Sequence, residues 1–314
     1  MPTALYSHSD CRLHDMGTDH PECPQRLSAI DDLLISTGLD VALERRDAPL
    51  ANVADIERAH DPAYVAHVRA LLTDLAARGV SRAIDADTVA CPGTWHAALR
   101  AAGAAIAATD AVLDGTLHNA FCAVRPPGHH ATRTQTMGFC FFNNVAIGAL
   151  HALARGLQRV AIVDFDVHHG NGTEDIIAGD DRILMVSFFQ QGLYPYCGDR
   201  PKGRNMVNLP VPAYTRGPEV RALIEAHWMP ALEAFRPEMV FVSAGFDAHR
   251  EDELGQMGLV EADYEWITRQ VRDVAERHAG GRIVSCLEGG YHLDALARSV
   301  AAHLRVLSGT CHGH

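Results

Sequence analysis

No Cys-x-x-Cys pair occurs among the eight cysteines, at positions 11, 23, 91, 122, 140, 197, 286 and 311. Its absence argues against a thioredoxin-type redox motif and against a cysteine-built zinc site. The thiols read as reduced, and Cys140 and Cys286 lie in apolar runs where cysteine behaves as a small hydrophobe. The N-terminus, Met1-Pro2-Thr3-Ala4-Leu5-Tyr6-Ser7-His8, lacks the basic and apolar regions of a signal peptide, and no apolar run approaches bilayer length. A cytoplasmic protein with no membrane partner is therefore expected. Positive charge is in the minority, with 27 Lys and Arg against 39 Asp and Glu, and the net charge of −12 repels a phosphate backbone. Direct nucleic-acid binding is not expected. No fixed-period repeat, low-complexity tract or linker divides the 314 residues. They read as one domain, 1–314, with 308–314 as a loose tail.

Hydrophobic residues make up 47% of the chain and charged residues 21%, the balance of an ordered globular protein able to bury a sizeable core. Short β-branched runs alternate with longer Ala-, Leu- and Arg-rich segments of helical period. That alternation predicts an α/β fold with a mostly parallel central sheet flanked by helices. Strands are expected near 3–7, 120–124, 159–165, 182–187, 239–243 and 282–287. Helices are expected at 24–36, 62–77, 93–114, 143–155, 218–235, 261–278 and 293–307. Three irregular stretches, 8–23, 125–142 and 188–218, are too long for simple connectors and are expected to rim a site.

The run Val160-Ala161-Ile162-Val163-Asp164-Phe165-Asp166-Val167-His168-His169-Gly170-Asn171-Gly172 carries an apolar strand straight into metal-ligand residues. Asp164, Asp166 and His168 stand at i, i+2 and i+4, so an extended strand would put their side chains on one face. Burying two carboxylates without a cation is very costly, whereas carboxylates and an imidazole close naturally around a divalent ion. Other polar motifs also follow expected strands directly: Arg125-Pro126-Pro127-Gly128-His129-His130, Gly245-Phe246-Asp247 and Glu288-Gly289-Gly290-Tyr291. In open parallel sheets ligands bind outside the carboxyl ends of the strands, so these motifs are predicted to meet in one crevice. A metal centre that cleaves a carbonyl-type bond needs ligands, an open position, a base and a partner for the oxyanion. Asp166 and His168 are candidate ligands with Asp247 as the third, and His129 and His130 are a candidate acid/base pair. Tyr291 is a candidate donor to developing negative charge. Each motif alone has a plainer reading, as a solvated His pair, a helix-capping Asp or a turn with a packing tyrosine. Their joint occurrence at successive strand ends favours chemistry.

These residues resemble the histone deacetylase family, which also includes acetylpolyamine amidohydrolases and acetoin-utilisation proteins. The marks run across nearly the whole chain. They are His20-Pro21-Glu22 with Arg26, Cys91-Pro92-Gly93-Thr94, Arg125 to Ala131, Gly138 to Asn144, Asp164 to Gly172, Ser243 to Asp247 and Leu287 to Tyr291. The resemblance implies a single arginase-like α/β domain and a zinc-dependent deacetylase that releases acetate from an acetyl-lysine peptide or a small acetylated amine. It implies zinc, or iron(II) in the cell, on Asp166, His168 and Asp247, with His130 as general base and acid. His129 is implied as its electrostatic neighbour, oriented by Asp164, and Tyr291 as the group that polarises the acetyl carbonyl. Asn171 stands where one branch of the family has Asp and the class II-like branch has Asn. An uncharged partner should raise the pKa of His130 less than Asp would. Gly138, Phe139 and Tyr194 are implied to line the acyl-lysine tunnel. A structural potassium ion is implied on backbone oxygens of Asp164, Asp166 and His168, with Ser187 and Phe188.

Polyamine-selective members of the class II-like branch carry an acidic residue a few positions beyond the last zinc ligand. Here that place falls on Leu254, with Glu253 adjacent. Leucine favours acetyl-lysine, and acetylpolyamine hydrolysis is the alternative. A dimanganese ureohydrolase of the arginase kind would need paired carboxylates where this chain has Asp247-Ala248-His249. A non-catalytic acetyl-ligand binder would be expected to have lost a ligand, a tandem histidine or Tyr291, and all are present. On oligomeric state the sequence is silent.

Overall fold

The computed structural model describes residues 2–310. Its strands are β1 (Thr3–Ser7), β2 (Leu43–Asp47), β3 (Arg82–Ala83), β4 (Val89–Ala90), β5 (Asn119–Cys122), β6 (Val160–Asp164), β7 (Ile183–Gln190), β8 (Met206–Val211), β9 (Met239–Ala244) and β10 (Ile283–Leu287). The helices are α1 (Gln25–Ser36), α2 (Val53–Ile56), α3 (Pro62–Arg78), α4 (Thr94–Leu113), α5 (Asn144–Ala154), α6 (Asn171–Ile177), α7 (Gly217–Leu223), α8 (Met229–Phe235), α9 (Glu261–His278) and α10 (Leu293–Ser308). Eight strands form one sheet in the order β2-β1-β5-β10-β9-β6-β7-β8, and β3 pairs with β4 in a separate ribbon. Every pairing in the large sheet is parallel. The central strands β5, β6, β7, β9 and β10 are buried along their whole length. That is why they read as continuous apolar runs rather than alternating ones, since helices cover both faces of a parallel sheet.

Two strands of the sheet went unseen in the sequence, and both are edges. Residues of β2 are Leu-Glu-Arg-Arg-Asp, with Leu43 buried and the rest largely in solvent. An edge strand of this kind carries charge to discourage further pairing and so lacks an apolar signature. On the opposite edge β8 contains Pro210, tolerated where one side of the backbone has no partner. The stretch expected to be irregular, 188–218, therefore contains the end of β7 and all of β8. The short helices α2 and α6 were likewise not anticipated. In α4 the alanine face allows close packing, with Gly103 and eight of its alanines largely or wholly buried. At the other end of the chain α10 extends through Ser308, where Gly309 caps it at φ 71°. Of the expected tail, residues 311–314 lie outside the described residues.

A buried ionic cluster ties the long loop 8–23 to the sheet. Arg125, directly after β5, donates to Glu22 and to the carbonyls of Cys11 and His14 at 2.9 and 2.8 Å. Arg26 donates to Glu22 from the other side at 3.0 Å, and all three side chains are fully buried. Burial opposes ionisation of Glu22, but the two guanidiniums outweigh it and hold its carboxyl down at about 2.

Candidate active site

The four strands that carry the motifs are β5, β10, β9 and β6, and these are consecutive in the sheet. At the usual strand spacing of about 4.8 Å their carboxyl ends span only about 15 Å. Sequence-distant loops therefore share one crevice.

Strand β6 stops at Asp164, and the chain bends there rather than continuing extended. Asp164 Oδ1 accepts the Asp166 N–H at 3.1 Å, and Asp166 Oδ1 accepts the His168 N–H at 2.8 Å. Aspartates that capture an amide two residues ahead turn the chain in this way. The single-face arrangement expected for Asp164, Asp166 and His168 is corrected accordingly. Asp164 turns its Oδ2 to His129, while Asp166 and His168 close with Asp247 from the end of β9. The ligand-capable atoms of those three residues all lie within 4.8 Å of one another. His168 Nδ1 is 3.0 Å from Asp166 Oδ1 and 3.1 Å from Asp247 Oδ2.

The surroundings of this trio fit a divalent ion. Both carboxylates have no exposed surface, and the His168 side chain retains 11%, which leaves the group open on the imidazole side. Asp166 Oδ2 accepts the Gly289 N–H at 2.8 Å, and Asp247 Oδ1 accepts the Val167 N–H at 2.9 Å. A β-carbon on Gly245 would overlap the Asp166 carboxylate, and one on Gly289 would overlap that of Asp247. Glycine at both places is what lets the backbone press against the ligands. Burial opposes charge on His168, but its bonds to the two carboxylates push the imidazole up to about 10. Two carboxylates thus converge on one imidazole nitrogen where a cation is suited to sit. One nitrogen and two oxygens match the donors of zinc or iron(II). Among the described residues no second carboxylate cluster accompanies this one, as a two-metal centre would require.

The tandem histidines sit beside the trio with their rings 4.1 Å apart between centroids. His129 Nδ1 is 3.1 Å from Asp164 Oδ2, and its Nε2 is 3.8 Å from Asp166 Oδ2. Burial works against a charge on His129, but the carboxylates of Asp166, Asp164 and Glu288 raise its pKa well above the usual histidine range. His130 is shifted the other way, by burial and then by the neighbouring charges on His129 and His168. Its Nδ1 lies 2.7 Å from Asn171 Oδ1. An amide oxygen can only accept, so Nδ1 carries the proton and Nε2 is left with a free lone pair. A β-carbon on Gly138, at φ 56°, would strike the His130 ring, so glycine is required there both for conformation and for space.

Glu288 was not recognised from sequence as a site residue, yet it holds the histidine loop in place. Its Oε2 accepts the N–H groups of Gly128 at 2.7 Å and His129 at 3.0 Å. Burial pushes its carboxyl up to about 7, against the opposing pull of His129 and these amides. The available signal was a carboxylate set between a buried strand and a Gly-Gly turn. Asn143 and Asn144 prove to be structural: Asn143 Oδ1 caps α5 through the Ala146 N–H at 3.0 Å, and Asn144 Nδ2 holds the Pro126 carbonyl at 3.2 Å.

Tyr291 follows the Gly289-Gly290 turn, with the Arg26 guanidinium 5.0 Å from its ring centre. Burial and the Asp247 carboxylate raise its phenol well above the usual tyrosine range, so it remains a hydrogen-bond donor. The Phe139 ring meets Tyr291 edge-on at 5.9 Å and His20 at 4.9 Å. The Tyr194 ring meets His130 at 5.1 Å and His168 at 6.4 Å. Leu254, partly buried, has its N–H fixed by Asp252 Oδ1 at 3.0 Å, and its neighbour Glu253 is exposed. Ser187 pairs in register with Asp164 across β7 and β6, and its carbonyl accepts the Trp228 indole N–H at 3.4 Å. Phe188 follows it along β7, so two of the residues named for potassium lie within β7, beside the end of β6 and the segment that follows it.

Residues 20–307 match the histone deacetylase domain family. The histone deacetylase-like amidohydrolase of Pseudomonas aeruginosa is 43% identical over 282 residues, covering 87% of this chain and 72% of that protein. The polyamine deacetylase HDAC10 of Homo sapiens is 36% identical over 329 residues, which is 98% of this chain and 48% of that protein. The crystal structure of the HDA15 HD domain matches with a TM-score of 0.91 at 31% identity, covering 99% of this chain and 91% of that one. No helix among the described residues is long and apolar enough to cross a membrane. With its fold and nearly its whole length matched in this way, the chain belongs to the histone deacetylase family and is an amidohydrolase.

Proposed function

We propose that the chain hydrolyses the N-acetyl amide of acetyl-lysine in peptides or proteins, releasing acetate, with a zinc ion on Asp166, His168 and Asp247. The observation that supports the chemistry is that two complementary groups lie near the ligand trio: His130, its ring 5.9 Å from that of His168 and with a free lone pair, and Tyr291, which keeps its proton under burial and the nearby Asp247 carboxylate. A divalent ion bound there supplies Lewis acidity, polarising the amide carbonyl and making water easier to deprotonate. His130 Nε2 takes the proton of the attacking water, and the amide bond breaks as that proton passes to the departing amine. The charged His129, held by Asp164, keeps His130 from retaining the proton too strongly. Tyr291 donates its phenol hydrogen bond to the carbonyl oxygen as negative charge builds there. Phe139 and Tyr194 form aromatic walls suited to the apolar stem of a lysine side chain. The same reading assigns potassium to the backbone carbonyls of Asp164, Asp166, His168, Ser187 and Phe188. Seven cysteines, all free among the described residues, suit a reducing cytoplasm.

Leu254 supports acetyl-lysine over acetylpolyamine, since an apolar side chain at that place gives no attraction to a second cationic centre. The alternative draws on the exposed Glu253 next to it and on the similarity to a protein named polyamine deacetylase. Comparative kcat/KM for an acetyl-lysine peptide, acetylputrescine and acetylspermidine separates the two. The peptide is expected to be preferred, and a large preference for acetylspermidine would overturn the assignment.

Asn171 makes a prediction about pH. An Asp at this position would place a negative charge against His130 Nδ1 and raise its pKa. The base must be neutral to take a proton, so a raised pKa moves the acid limb of kcat/KM to higher pH. Asn171→Asp is expected to shift that limb upward by about one unit. A pH-rate profile of the zinc-loaded variant measures it.

A further inference from the structure

Tyr291 follows two glycines, and Gly290 has φ 117°, a conformation adopted freely only by glycine. A turn of that kind does not by itself fix the direction of the next side chain. The peptide unit joining Gly290 to Tyr291 is instead gripped on both polar edges by buried charged groups. Arg26 Nε donates to the Gly290 carbonyl at 2.6 Å, and Asp252 Oδ2 accepts the Tyr291 N–H at 2.6 Å. The same Asp252 oxygen accepts the His292 N–H at 3.1 Å, at the start of α10. Its other oxygen accepts the Leu254 N–H at 3.0 Å. Asp252 is 6% exposed, and three main-chain amides from two separate segments converge on it. A carboxylate is costly to bury, and it is the one small side chain that can accept on both oxygens at once. Glu251 beside it pairs with Arg298 of α10 at 2.8 Å, so the loop and the helix that follows Tyr291 are fastened together.

From this geometry we propose that Asp252 is a positioning residue for Tyr291. It holds the Gly290–Tyr291 peptide so that the phenol points into the crevice, and it couples that peptide to the loop carrying Leu254. The proposal rests on Tyr291 being the group that polarises the acetyl carbonyl.

The test is a double-mutant cycle on the zinc-loaded enzyme with an acetyl-lysine peptide, comparing Asp252→Ala, Tyr291→Phe and the double variant. Zinc content and thermal midpoint are recorded alongside. Asp252→Ala is expected to lower kcat by about 10- to 100-fold, the scale of a small misplacement of a reacting group, with KM changed less than about threefold. Asp252→Asn, which keeps one accepting oxygen, should fall between wild type and the alanine variant. The double variant should be no slower than Tyr291→Phe, because Asp252 acts through the phenol. Losses that multiply in the double variant would overturn the proposal, as would wild-type kcat in Asp252→Ala. If Asp252→Ala does not fold, the cycle is run with Asp252→Asn and read by the same criteria. Wild-type turnover in Tyr291→Phe alone would remove the reading of Tyr291, and the proposal with it.

Discussion

Stripping the metal from the zinc-loaded chain with a chelator is expected to lower acetate release from an acetyl-lysine peptide by about a thousandfold or more, and restoring zinc is expected to restore the rate. The size follows from the several kcal/mol that a Lewis acid contributes at a carbonyl, each 1.36 kcal/mol being about tenfold in rate. Asp247→Ala is expected to produce the same loss without recovery at ordinary zinc concentrations. It removes one of the three proposed ligands and leaves the His168 imidazole with a single carboxylate partner. Metal uptake should also depend on pH in a definite direction. In the metal-free protein His168 keeps its proton up to about 10, and a metal ion must displace that proton to reach the nitrogen. Affinity is therefore expected to rise with pH by up to about tenfold per unit below that value. Calorimetry at pH 8 in two buffers of different ionisation enthalpy should show about one proton released from His168 per ion bound. Retention of activity after complete metal removal would overturn the assignment of the trio.

Tyr291→Phe should lower kcat by about 100- to 1,000-fold, the usual loss on removing one donor to an oxyanion. The ring and its contacts with Phe139 and Arg26 remain, so zinc content and thermal midpoint should be unchanged. KM should change little, since the hydrogen bond strengthens as charge develops on the carbonyl oxygen and contributes less to the ground state. A parallel rise in KM with unchanged kcat would mean that Tyr291 only binds substrate.

Much of this site was legible along the chain because each motif directly follows a buried strand, and a parallel sheet aligns its carboxyl ends. The strands β5, β6, β9 and β10 announced themselves as apolar runs, and the polar residues after them stood out for that reason. The edges β2 and β8 did not, since a charged edge and one interrupted by Pro210 lose the pattern that burial imposes. Glu288 stood out only as part of its strand-end motif and Asp252 not at all, because their role is to accept main-chain N–H groups and such partners leave no trace in residue type. Asp252 bonds Tyr291 from 39 residues away, and Glu288 bonds Gly128 from 160 away.

The order of residues settled the fold class, the family and the chemical types present at each strand end, because burial and ligand chemistry act through side-chain identity. Residue spacing alone did not settle which of Asp164 and Asp166 would face the metal position, a choice that only the family resemblance implied. That depended on the chain bending after Asp164, where two aspartates each capture an amide two residues on. Nor did it show that His129 and His130, adjacent in sequence, would be driven to opposite protonation states. The cause is spatial, since one ring lies against Asp164 and Asp166 while the other is buried beside the charges on His129 and His168. Electrostatic energies depend on distance and burial, and those exist only once β5, β10, β9 and β6 lie side by side.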